Sequence, residues 1–173
     1  MTPRGVLPAR GKPKVRPEEI FLDIETDWDR EITVVGFSSR MTGLVQLVGA
    51  EITRRRFLKE LPRKGHLYTY NGHSFDCVCI RHQFGIDLRE SFDSRDLRWV
   101  CQRLGLMGGQ KAIEDHIGVK RALADIDGRD AIRLWQQYRR GDQDALETLL
   151  SYNAEDVAGL TAIKKHLEGR GWL

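Results

Sequence analysis

Residues 19–50 read EIFLDIETDWDREITVVGFSSRMTGLVQLVGA, and their spacing sets the fold class. Three runs rich in β-branched and aromatic residues, EIFLDIET, EITVVGFSSR and LVQLVGA, are joined by short connections, the second carrying Met41-Thr42-Gly43. Connections this short suit antiparallel neighbours, because a parallel crossover needs about a dozen residues or more. In the first run Asp23 and Glu25 stand two apart, so both side chains project from one face of the strand.

Downstream the pattern changes period. EITRRRFLKEL places Ile52, Phe57, Leu58 and Leu61 at helical spacing behind Thr53, a capping residue type. HLYTYN reads as a fourth strand, and SFDCVCIRHQFG as a helix capped by Ser74 and stopped by Gly85. SFDSRDL is a brief fifth strand running into the helix LRWVCQRLG. GLMGGQ breaks the chain before KAIEDHIG and RDAIRLWQQYRRG, both helical, with Trp99 and Trp135 at core-facing positions. DQDALETLLSYN and AEDVAGLTAIKKHLEG read as two further helices. The expected fold is α/β, a mixed sheet of three antiparallel strands followed by parallel strands and flanked by helices, with a right-handed crossover into strand four.

The chain has 173 residues, 40% of them hydrophobic and 31% charged, enough for one domain with a real core. No run of about 18 apolar residues occurs, so no membrane span is expected. The first seventeen residues carry Arg4, Arg10, Lys12, Lys14 and Arg16 and no acid, whereas the rest is slightly acidic. The net charge of +3 is therefore a property of a basic N-terminal tail over 1–17, expected to be flexible, ahead of an expected single domain over 18–173. That tail either stays solvated or grazes a polyanion. It lacks the apolar block of a secretory leader. Cys77, Cys79 and Cys101 form an odd set without C-x-x-C spacing, so a reducing cytoplasm is expected and a structural zinc is not. Arg54, Arg55 and Arg56 form a solvated face of their helix more naturally than a nucleic-acid track.

Four acids deserve a joint reading: Asp23 and Glu25 on the first strand, Asp76 after the fourth, and Asp156 on a late helix, one turn beyond Tyr152. Singly, each has a simpler role. Asp23 and Glu25 fit a half-exposed strand, Asp76 favours the positive end of a helix dipole, and Asp156 fits a helix boundary. Together they form the all-oxygen set that hard divalent cations take. Two such ions, about 4 Å apart, hold the attacking and leaving oxygens of an in-line phosphoryl displacement.

FLDIET, YNGHSFD and YNAED resemble the three motifs of the DnaQ-like, or DEDD, exonucleases, and the Y-x-x-x-D spacing of the last resembles the DEDDy branch. The middle motif is similar to that of the proofreading domains of family-B DNA polymerases. The widest likeness is to the YprB-type ribonuclease H-like domain. It takes in QKAIEDHIGVKR and QQYRRGDQDALETLLSYNAEDV and spans roughly residues 19–167. The resemblance implies an RNase H-like fold and a 3′→5′ exonuclease that releases nucleoside monophosphates from single-stranded DNA or RNA 3′ ends with two Mg²⁺ or Mn²⁺ ions. It implies that Asp23, Glu25, Asp76 and Asp156 ligate metal and that Tyr152 orients the attacking water. It departs from the common pattern after DIET, where Asp27-Trp28-Asp29 replaces a small pair. Thr26, Trp28, Asn71 and Phe75 are candidate substrate contacts, with Trp28 suited to stacking on a base. Asn71 serves equally well as a turn residue with Gly72. An RNase H-type endonuclease and a non-catalytic nucleic-acid-binding module are the competing readings. Tyr152 favours the exonuclease.

Overall fold

A computed structural model describes residues 17–173; the basic tail, Pro17 aside, lies outside the described residues. Strand β1 (Glu19–Thr26) is central, in a five-stranded sheet of order β3-β2-β1-β4-β5. It pairs antiparallel with β2 (Ile32–Ser39), which pairs antiparallel with β3 (Gly43–Val48). On its other side it pairs parallel with β4 (His66–Thr69), which pairs parallel with β5 (Asp93–Asp96). The mixed sheet expected from the sequence is present.

Alternation along β1 divides the core. Ile20, Leu22 and Ile24 join Phe37, Leu47, Leu67 and residues of α1 (Arg54–Glu60), α2 (Asp76–Phe84) and α3 (Leu88–Ser91). Phe21 points the other way and stacks on Tyr68, ring centres 5.2 Å apart. That face is covered by α4 (Leu97–Arg103), α5 (Gln110–His116) and α7 (Gln143–Gly169), through Leu97, Ile113, Val157, Leu160 and Ile163. A third cluster, Val34, Ala131, Leu149 and Tyr152, seats α6 (Gly128–Tyr138) against α7 and β2. Fully burying one such Leu, Ile or Phe contributes about 1.5–3 kcal/mol.

Thr53 caps α1 by accepting from the amide of Arg56, and Gly85 ends α2 with φ 67°. Residues Arg54 to Arg56 lie exposed on α1. Several expectations need correction. Ser74 does not cap α2; Phe75 holds the cap position without a side-chain bond, and the turn is closed by Cys77 N donating to Gly72 O at 2.8 Å. The two last helices are one, α7, 27 residues long and capped by Asp142. Its interior carries neither Gly nor Pro between Leu149 and Ala158, and its buried stripe continues unbroken through Asn153 and Asp156. The short α3, capped by Asp87, has too few residues to show periodicity. Trp99 is 49% exposed, edge-on to His73, rather than core-facing, whereas Trp135 packs partly buried against the third cluster.

Candidate active site

Period-two geometry turns Asp23 and Glu25 toward α7, the face that Phe21 shares. There Asp156 meets them: carboxylate oxygens of Asp23, Glu25 and Asp156 lie within 4.8 Å of one another. Asp76 borders this cluster at the start of α2. The ladder from β1 to β4 stops at Phe21, and further along the amide of Ile24 donates to Asp76 Oδ1 at 3.1 Å. The pairing of β1 with β2 also slips between Glu25 and Thr26, so the sheet ends irregularly beside the acids.

The electrostatics are those of crowded acids, Glu25, Asp76 and Asp156 buried and Asp23 partly so. Burial pushes Asp23 and Glu25 well above the usual carboxylate range, and repulsion from Asp156 and Asp76 adds to it. Asp76 is raised to about 7, burial again being the largest cause. Burial raises Asp156 too, opposed by Arg121. Glu25 Oε1 is buried and has no hydrogen-bond partner among the described residues. An all-oxygen donor set with mutual repulsion and an orphaned buried acceptor fits a hard divalent cation, which would remove the repulsion and satisfy that oxygen.

Residues that local sequence pattern did not single out hold the cluster in place. Asn153 Nδ2 donates to Asp23 Oδ2 at 2.9 Å, while Gln46 Nε2 donates to Asn153 Oδ1 at 2.9 Å. Gly36 makes room for this side chain, since a Cβ there would stand 2.0 Å from Asn153 Oδ1. A glycine inside the apolar run of β2 was the available signal. Arg121 donates to Asp156 Oδ1 at 2.7 Å; it closes the QKAIEDHIGVKR stretch of the family likeness, which was the available signal. Asp96 accepts from the amides of Asn71 (2.8 Å) and His73 (3.1 Å), anchoring the turn that leads to Asp76.

Tyr152 is buried, with the Lys111 ammonium 5.0 Å and the Arg121 guanidinium 5.5 Å from its ring centre. Burial, then the charges of Asp156, Glu25 and Asp23, raise its hydroxyl well above the ordinary tyrosine value, so it stays protonated. Trp28 and Phe75 line a cleft of about 330 Å³ with Glu25, Thr26, Arg30 and, from α6, Ile132. Asn71 does not join that cleft: at φ 63° it forms the turn, and its Oδ1 accepts from Arg98 Nη1 at 2.6 Å. Cys77, Cys79 and Cys101 are free and buried, and no described helix is long and apolar enough to cross a membrane.

Among solved structures, the family B DNA polymerase from the hyperthermophilic archaeon Pyrobaculum calidifontis is similar, with a TM-score of 0.70 and 16% identity. The match covers 91% of this chain and 25% of that one, so the chain spans about a quarter of the polymerase's length. At that identity the likeness shows the fold alone. A search of curated proteins gave no match. The model of the RNase_H_2 family, part of the RNase H superfamily, matches residues 20–168, from the second residue of β1 to the penultimate residue of α7. The mixed sheet, its strand order and this match together establish that the chain belongs to the RNase_H_2 family of the RNase H superfamily.

Proposed function

We propose that the protein is a metal-dependent 3′→5′ exonuclease acting on nucleic-acid 3′ ends. The observation that carries this reading is the meeting of Asp23, Glu25 and Asp156, with Tyr152 one helical turn before the last of them. Asp23, Glu25 and Asp156 would hold one divalent ion, and Asp76 beside Asp23 offers carboxylate oxygen for a second. Bound Mg²⁺ or Mn²⁺ would neutralise charge developing on the phosphate and ease deprotonation of the attacking water.

The chain's own groups account for the rest. Water attacks the terminal phosphorus, the bond to the 3′-oxygen of the preceding nucleotide breaks, and that oxygen leaves with a proton. The products are a nucleoside 5′-monophosphate and a strand one residue shorter. Tyr152, held protonated, acts as a hydrogen-bond donor that places the water and not as a base. Asn153 orients the carboxylate of Asp23. The cleft between Trp28 and Phe75, adjoining Glu25, is of a size for one base, and stacking there contributes about 1–3 kcal/mol. The three buried thiols suit a reducing cytoplasm.

The test is degradation of matched 5′-labelled DNA and RNA oligomers, with Mn²⁺ and with EDTA, alongside a circular single strand. A ladder shortening from the 3′ end, only with metal and with the circle intact, is the expected outcome. A cut circle points to an RNase H-type endonuclease, and metal-independent binding without any product points to a binding module; either overturns the proposal. The DNA-to-RNA ratio reads out the contact to the 2′-hydroxyl.

A further inference from the structure

We propose that Arg121 is a positioning residue, one that sets the orientation of Asp156 and Tyr152 from outside the carboxylate cluster. The inference rests on reading Asp23, Glu25 and Asp156 as cation ligands. Arg121 lies between α5 and α6, yet its side chain is only 5% exposed. Nη1 donates to Asp156 Oδ1 at 2.7 Å and to Glu114 Oε2 at 3.0 Å, and Nε donates to Glu155 Oε2 at 3.3 Å. The same guanidinium lies 5.5 Å from the ring centre of Tyr152. One planar group therefore touches both functional members of Y-x-x-x-D.

Its partners are themselves fixed. Glu114 Oε1 accepts from Gln110 Nε2 at 2.7 Å, and that amide also donates to Asp156 O at 2.7 Å. Gly159 leaves the space that Glu114 fills, for a Cβ there would lie 1.7 Å from Oε1. Glu155 accepts from the amides of Ala122 (2.8 Å) and Leu123 (3.2 Å). Two opposed effects act on a cation at the neighbouring site. The charge of Arg121 repels it, whereas Nη1 fixes one oxygen of Asp156 while Nε holds Glu155, which leaves the other Asp156 oxygen available; Nη2 has no hydrogen-bond partner among the described residues. Glu114 and Glu155 offset the charge at short range, so orientation is the larger effect. Outer partners of metal ligands typically change metal affinity about 10- to 100-fold when removed.

Arg121→Lys keeps the charge but loses the fork, and Arg121→Met loses both. Mn²⁺ affinity is measured by titration calorimetry on the metal-stripped full chain without nucleic acid, with thermal melting by circular dichroism as the check of folding. Both variants are expected to bind Mn²⁺ about 10- to 100-fold more weakly than the parent. Arg121→Lys decides the matter if Arg121→Met does not fold. Parent-like or tighter binding by a folded Arg121→Lys overturns the positioning role, because charge alone then suffices. A parent that binds no Mn²⁺ overturns the ligand reading and this inference with it, whereas parent binding with unchanged variants overturns this inference alone.

Discussion

Asp156 and Tyr152 sit one turn apart on the same helix but differ in what their loss removes. Asp156→Ala takes away one of three converging carboxylates while leaving Arg121 paired with Glu114 and Glu155, so the fold survives. Cleavage is expected to fall to background, read as loss of the 3′-end ladder under single-turnover conditions with Mn²⁺. Tyr152→Phe keeps the ring, its packing and both cation contacts and removes only the hydroxyl. The expected slowing is about 10²-fold, the lower end of what one positioned hydrogen-bond donor contributes. Parent-rate cleavage by Asp156→Ala, or a Tyr152→Phe defect as deep as that of Asp156→Ala, contradicts these roles. The parity of Asp23 and Glu25 was legible from period two alone. Asp76 and Asp156 became legible only in conjunction with that pair and through the motif resemblance, since each taken singly suits a helix end or boundary.

Between elements, the contact that positions β1 chemistry against α7 is Asn153, seated over Gly36 of β2. Gly36→Ala would force its Cβ into Asn153 and separate that amide from Asp23 and Gln46. Overpacking of this kind destabilises by about 1–3 kcal/mol. A lower melting temperature together with weaker Mn²⁺ binding is expected, whereas Gly169→Ala, in open space at the end of α7, should leave both near the parent values. Equal behaviour of the two variants removes Asn153 from the architecture of the site. The strands and most helices were legible because their apolar periods are local. The partners of Asn153 and Arg121 were not: Asp23 is 130 residues from Asn153, and Asp156 is 35 from Arg121. Nor was the continuity of α7, where polar Asn153, Glu155 and Asp156 break the apolar pattern while the site partners of Asn153 and Asp156 compensate their burial.

For the molecule as a whole, the carboxylate cluster ties stability to pH and metal. Burial raises Asp23, Glu25 and Asp76, the last to about 7, whereas unfolded Asp and Glu titrate near about 3.9 and 4.3. Between those limits the folded chain holds more protons than the unfolded one, so stability falls as pH rises. Asp87 and Asp93, lowered by Arg89 and by Arg95 with His66, act in the opposite sense but below about pH 4, and His166, lowered by burial and by Arg170, opposes the trend as a single group inside the window, against several carboxylates. The metal-free protein is therefore expected to melt lower at about pH 8 than at about pH 5. A cation that binds only the folded chain reverses this, and protons compete with it for the same oxygens. The rise in melting temperature on adding Mn²⁺ should accordingly be larger at the higher pH, and Asp23→Asn should flatten the metal-free slope and shrink the Mn²⁺ increment. Melting curves in EDTA and in Mn²⁺ across this range give the answer. A metal-free melting temperature that stays level or climbs with pH, or an Mn²⁺ increment equal at both ends, is incompatible with mutually repelling carboxylates gathered between β1 and α7.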